Sequence, residues 1–93
     1  MLIIIKSAPD TTEGKRGLDL AKEMSCAVVL LQNGVYSVCE DMPVDYRGPV
    51  YVLDDDLRLR GLGEHRIDER TTKISYVNLV DLMAASDKVV GMF

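Results

Sequence analysis

The sequence has no tryptophan, one phenylalanine, one histidine and two cysteines in 93 residues, and each scarcity excludes something. Aromatic residues make up 5% against 47% hydrophobic residues, so the core has to be built from Val, Leu, Ile, Met and Ala. That set suits buried parallel strands. One histidine, His65, and two cysteines outside a CxxC spacing make no plausible zinc site, and neither a metal nor another cofactor is expected. An excess of base is missing as well. Fifteen acids against 11 bases leave a formal charge of −4, which argues against direct nucleic-acid binding through phosphate contacts. No apolar run nears the length of a membrane span, and neither a positively charged leader nor a small-residue cleavage site is seen, so the chain reads as cytoplasmic. In that reducing setting Cys26 and Cys39 are packing residues or sulfur chemistry, not a disulfide. Without repeats, linkers or low-complexity tracts, residues 1–93 read as one domain. It is short enough that burial alone leaves it marginal, and association with copies or partners is expected.

What is present alternates between strand and helix. Leu2-Ile3-Ile4-Ile5 is a continuous, β-branched apolar run followed by the turn formers Ser7 to Thr12, the pattern of a buried first strand and its loop. From about Glu13 to Met24, Leu18, Ala21 and Met24 recur at helical spacing among charged residues, with Gly17 weakening the helix. Cys26 to Gln32 reads as a second buried strand. Asn33-Gly34 then supplies a residue tolerant of positive φ, and Val35 to Cys39 opens a short helix, since no alternating strand follows to make a hairpin. Asp41 to Gly48 connects to a third strand, Val50 to Leu53. There Asp54 is expected as a helix N-cap, with Asp55 and Asp56 on the positive end of the helix dipole, and Gly61 and Gly63 closing the helix. Polar Glu64 to Thr72 reads as an exposed loop and Lys73 to Ser75 as a brief fourth strand. Ser75 caps a helix whose Val77, Val80, Leu82 and Met83 are expected to face inward. Lys88 to Phe93 is a last strand with an apolar end. The fold class is therefore α/β: three layers, α/β/α, around a mainly parallel sheet of about five strands with right-handed crossovers. Ser7 to Thr12, Asn33 to Tyr36 and Asp54 to Asp56 should meet at the edge where the strands end.

The candidate sites are weighed by chemistry. Asp54-Asp55-Asp56 at a strand end invites a phosphoacceptor or magnesium reading, but Ser7-Ala8-Pro9 stands where the acidic pair of a receiver domain belongs, and helix capping explains the triplet. Gly14-Lys15 is no phosphate loop, because Pro9 replaces the first glycine and Arg16 the magnesium-binding Ser or Thr. His65 reads as a solvated loop histidine. Cys26 opens a buried strand at the end opposite the functional edge and reads as core. Cys39 is the better-placed thiol to accept sulfur, but Glu40 and Asp41 beside it disfavour the thiolate, so packing is favoured there too. No catalytic residue is expected. Tyr36, Tyr46, Tyr51 and Tyr76 fall at loop edges and element starts, where a ring can be buried while its hydroxyl stays wet.

Val29 to Val35 with its Gln-Asn-Gly turn, Val50 to Gly61 ending in Arg-Gly, Ile74 to Leu82 and the short aromatic-ended tail resemble, in order and spacing, the DsrH/TusB family over nearly the whole chain. The resemblance implies a five-stranded parallel α/β fold of the DsrE-like group. It also implies membership of a multimer that passes persulfide sulfur, toward tRNA wobble-uridine 2-thiolation or sulfur oxidation, with DsrE/TusD-like and DsrF/TusC-like subunits as partners. In DsrE-type and TusD-type subunits the sulfur-carrying cysteine follows the third strand. Here Leu53-Asp54-Asp55 stands in that region, and Leu18-Asp19-Leu20 stands where some DsrH members carry a cysteine on the first helix. The implied role is a noncatalytic relay subunit and not an enzyme. The alternatives are a sulfur carrier acting through Cys39 and a stand-alone homodimer without relay activity.

Overall fold

A computed structural model describes residues 1–38, 48–62 and 71–92. Five strands, β1 (Leu2–Ile5), β2 (Ala27–Leu30), β3 (Val50–Leu53), β4 (Thr71–Ile74) and β5 (Val89–Met92), form one sheet in the order β4-β3-β2-β1-β5, with every neighbouring pair parallel. Between them run α1 (Thr12–Met24), a 3-10 segment (Gln32–Val38), α2 (Asp54–Leu59) and α3 (Tyr76–Ala85). The first four strands step in one direction across the sheet, so right-handed crossovers put α1, the 3-10 segment and α2 on one face. The last crossover returns past three strands to the far side of β1 and leaves α3 on the other face.

Side-chain alternation follows that division. Ile3, Ile5, Val28, Leu30, Val50 and Val52 pack with Ala21 of α1, Val35 of the 3-10 segment and Leu57 of α2. Leu2, Ile4, Val29, Leu31, Leu53 and Ile74 pack with Leu79 of α3, and Leu82 lies against them. Both faces of β1 to β3 are apolar because both are covered. This is why these strands read as continuous hydrophobic runs.

The helices differ from expectation in instructive ways. Thr11 caps α1: its hydroxyl accepts the Gly14 N–H at 3.1 Å and donates to the Ala8 carbonyl at 2.6 Å. The buried face of α1 on the sheet is Gly14, Gly17 and Ala21, with Leu18, as expected, and Leu20 partly buried against the core, while Met24, expected inward, is exposed. Small residues are required there because a Cβ at position 14 would lie 2.1 Å from the Ala8 carbonyl oxygen. Gly17 is thus part of the packed face as well as a weak helix former.

Ser75 caps α3 as expected, in a reciprocal capping box with Asn78. The inward face of α3 is Leu79 and Leu82, however, and Val77, Val80 and Met83 point outward, exposed by 70%, 62% and 40%. A ten-residue helix with a single charge gives little amphipathic signal, so its orientation is set by the sheet it lands on. No helix among the described residues is long and apolar enough to cross a membrane. Tyr36 and Tyr51 are half-buried, and Tyr76 is exposed. Cys39, Glu40, Asp41, Tyr46, Gly63, His65 and Phe93 lie outside the described residues.

Candidate functional site

Strands β1, β2 and β3 end side by side, and their exits are tied together. The Leu31 N–H donates to the Ile5 carbonyl at 2.9 Å, and the Gly34 N–H donates to the carbonyls of Leu31 at 2.8 Å and Lys6 at 3.2 Å. A Cβ at position 34 would meet the Ile5 carbonyl oxygen at 2.3 Å. The glycine of the Gln-Asn-Gly turn is thus needed for close approach. The positive φ expected at Asn33-Gly34 falls one residue earlier, on Gln32, at 49°. A left-handed non-glycine residue costs roughly 1 kcal/mol, and its persistence requires compensation from its surroundings.

Asp56 supplies that compensation. It is buried, and its Oδ2 accepts the Gln32 N–H at 2.8 Å, a bond strengthened by the carboxylate charge. Oδ1 of the same carboxylate faces Arg60 Nη1 at 3.6 Å. Arg60 also donates from Nη1 to the Asp56 carbonyl at 3.3 Å and from Nε to Asn33 Oδ1 at 3.1 Å. Asp56 and Arg60, one helical turn apart, therefore clamp the exit of β2 onto α2. The Arg60 side chain is only 20% exposed, so solvent screens this pair less than a surface pair.

The expected N-cap at Asp54 is not what forms. The helix begins at Asp54 itself, with Leu53 in the cap position and no side-chain cap bond, because β3 runs into α2 without an intervening residue. Asp54 instead pairs with Arg58 at 2.9 Å across one helical turn. All three acids still lie in the first turn, where the helix dipole favours negative charge. They do not converge: Asp54 turns to Arg58, Asp55 is exposed, and Asp56 turns inward to Gln32 and Arg60. A triplet so divided does not make a magnesium or phosphoacceptor pocket.

Of the three segments expected at this edge, the turn after β2 and the start of α2 meet through these bonds, and the chain they reach from β1 is Ile5 and Lys6, just ahead of the expected Ser7 to Thr12. Thr11 is engaged in capping α1. Cys26, a partly buried cysteine, precedes β2 and packs against the core at the opposite edge of the sheet. A four-residue strand, roughly 13 Å long, separates the two edges. Cys39 lies outside the described residues, so its surroundings are not on view. Among the described residues the carboxyl edge thus offers a neutralised carboxylate–guanidinium pair and oriented backbone, with no thiol. Arg60 and Asn33 were missed as partners in the sequence; the Asp56–Arg60 spacing of four was the legible half of the signal.

A family model described as DsrH like protein matches residues 6–89. The chain belongs to this DsrH-like family. Membership groups it with sulfur-relay-type subunits in general. Among solved structures it is similar to the ychN protein from E. coli, with a TM-score of 0.73 and 16% identity, covering 97% of each chain. It is also similar to protein Tm0979 from Thermotoga maritima, with a TM-score of 0.69 and 28% identity over 95% of this chain and 97% of that one. The first likeness, at that identity, speaks for the fold. No curated protein matches the sequence.

Proposed function

We propose that this DsrH-like chain is a noncatalytic subunit of a cytoplasmic sulfur-relay assembly, serving tRNA wobble-uridine 2-thiolation or sulfur oxidation. The persulfide chemistry is housed in DsrE/TusD-like and DsrF/TusC-like partners. One observation carries the reading beyond family membership: the strand ends that would present a sulfur-carrying thiol are occupied by buried Leu53 and by the Asp56–Arg60 clamp. Relay chemistry needs a thiolate, and no thiol stands among these strand-end residues. Cys26 sits at the far edge of the sheet against the core, where attack on an incoming persulfide is obstructed. What the subunit contributes on this reading is shape: rigid strand exits and a docking surface for the subunits that carry sulfur.

The test is reconstitution with DsrE-like and DsrF-like subunits, a cysteine desulfurase and cysteine, followed by intact-mass and peptide mass spectrometry of every chain. Added sulfur is expected on a partner cysteine and absent from this chain, and Cys39→Ser and Cys26→Ala are expected to leave transfer within a few fold of wild type. A persulfide mapped to Cys39, with transfer lost in the serine variant, would overturn the noncatalytic reading in favour of a carrier. Absence of any association with such subunits in the native host would favour the stand-alone protein.

A further inference from the structure

We propose that Asn33 is a site of spontaneous deamidation whose rate is governed by the Asp56–Arg60 clamp, so that the turn after β2 registers each opening of the strand exits. In an Asn-Gly pair the glycine nitrogen can attack the side-chain amide of the asparagine, and glycine shields that nitrogen least because it has no side chain. The Gly34 nitrogen gives up its proton and bonds to Asn33 Cγ, the Cγ–Nδ2 bond breaks, and Nδ2 leaves as ammonia with that proton. Water then opens the cyclic imide at either carbonyl. The product is aspartate at position 33 or isoaspartate, whose main chain runs on through Cβ. The fold itself fixes the labile pair: position 34 admits no Cβ against the Ile5 carbonyl, and Asn33 Oδ1 is the acceptor for Arg60 Nε.

Asn33 is exposed, so water and base reach it, yet the folded turn withholds the reaction. Gly34 is buried, and its N–H, whose proton must leave, donates to the Leu31 carbonyl at 2.8 Å and the Lys6 carbonyl at 3.2 Å. Arg60 Nε donates to Asn33 Oδ1 at 3.1 Å and so fixes the amide toward α2. The 3-10 backbone of Gln32–Val38 keeps the Gly34 nitrogen rotated away from the Asn33 side chain, whereas ring closure needs the two in near-attack contact. These restraints converge on the left-handed Gln32, which Asp56 secures by accepting its N–H at 2.8 Å. Releasing that bond lets Gln32 relax its φ and loosens Gly34 from both carbonyls. Isoaspartate then lengthens the main chain just ahead of Gly34, where the approach to Ile5 leaves no room, and the opening becomes permanent.

The site is independent of the relay reading and is measured on the intact chain without sulfur or partners. The protein is held at neutral pH below its melting temperature, and the peptide containing Asn33 is followed by mass spectrometry for conversion of amide to acid and by isoaspartyl methyltransferase labelling. Conversion is expected to be at least about tenfold slower than in a synthetic peptide of residues 29–37, and at least about tenfold faster in Asp56→Ala than in wild type, because local opening sets the rate. Arg60→Gln, which removes the contact to Asn33 and leaves Asp56 in place, should also raise the rate, and it carries the comparison if Asp56→Ala does not fold. Leu79→Ala weakens the other face of the sheet and leaves the turn intact, so with circular dichroism showing each variant folded, its rate should stay near that of wild type. Wild-type conversion as fast as in the peptide, or clamp variants no faster than Leu79→Ala, would overturn the clamp as the gate. Clamp variants whose Asn33 stays an amide while the peptide converts would overturn the site.

Discussion

The two faces of the sheet are built from the same strands but finished differently. On one face α1, the 3-10 segment and α2 close over Ile3, Ile5, Val28, Leu30, Val50 and Val52, and the largest side chains there are wholly out of water. On the other face, among the described residues, α3 covers Leu2, Ile4, Val29 and Leu53 and then presents a second apolar side outward. A helix that only sealed a core would carry polar residues on that side. The closed face holds most of the largest wholly buried side chains of the single chain, and the open face leaves one apolar side of its covering helix in water. The clamp at the strand exits belongs to the closed face, since Asp56 and Leu57 are neighbours on α2 and both are buried.

The sharpest way to break this comparison is to truncate one side chain on each face. Leu57 is fully buried under α2, and Leu57→Ala is expected to cost about 2–5 kcal/mol of unfolding free energy through lost transfer energy and the cavity left behind. Val77→Ala, on the exposed stripe of α3, should change the stability of the single chain by no more than about 0.5 kcal/mol. Denaturant unfolding reads both. Equal losses would mean that α3 is buried within the single chain and that the faces do not differ.

The acidic triplet sharpens the same contrast at closer range. Asp56→Ala removes the acceptor of the Gln32 N–H and strands a mostly buried Arg60, and is expected to cost about 2–3 kcal/mol. Asp54→Ala loses a turn-spaced pair whose arginine is exposed and some dipole interaction, worth about 0.5 kcal/mol. Thermal and denaturant melts of the two variants should rank in that order. The reverse ranking would restore Asp54 to the capping role that its position after a strand suggested.

That exchange of roles shows what the residues reveal before folding and what they do not. The strands were legible because β1, β2 and β3 are apolar on both faces and so form unbroken runs, and Ser75 announced its helix because Ser is a preferred N-cap ahead of an apolar run. β4 was found two residues too late. It is an edge strand whose Thr71 to Lys73 are partly or fully exposed, so half its pattern is that of a loop. The meeting of the strand exits followed from topology alone. Which aspartate does the work did not, because the boundary between β3 and α2 shifts the N-cap by one residue, and one residue on a helix turns a side chain by about 100°. The left-handed Gln32 was equally hidden. Asn-Gly is the stronger signal for positive φ, yet the glycine is taken up by the close approach to Ile5, and the strain moves to its neighbour.

The smallest expected effect lies at the turn between α3 and β5. Asp87 Oδ1 accepts a hydrogen bond from the Met1 amine at 3.1 Å, joining the start of β1 to that turn. The bond from the amine, and then the amine's charge, hold the Asp87 carboxyl below the usual carboxylate range. A carboxyl lowered in the folded state stabilises it fully above the ordinary carboxylate pKa, and the contribution is lost as pH falls through the lowered value. The aspartate is fully exposed, so water and salt screen the pair and the contribution is slight. Asp87→Asn should therefore lower the melting temperature at neutral pH by less than Asp54→Ala does. The difference from wild type should shrink with added salt and vanish in strong acid, where both side chains are uncharged. A loss as large as that of Asp56→Ala, or one that persists in acid, would show that the turn beneath the open face is held by more than this pair, and the contrast between the faces would narrow accordingly.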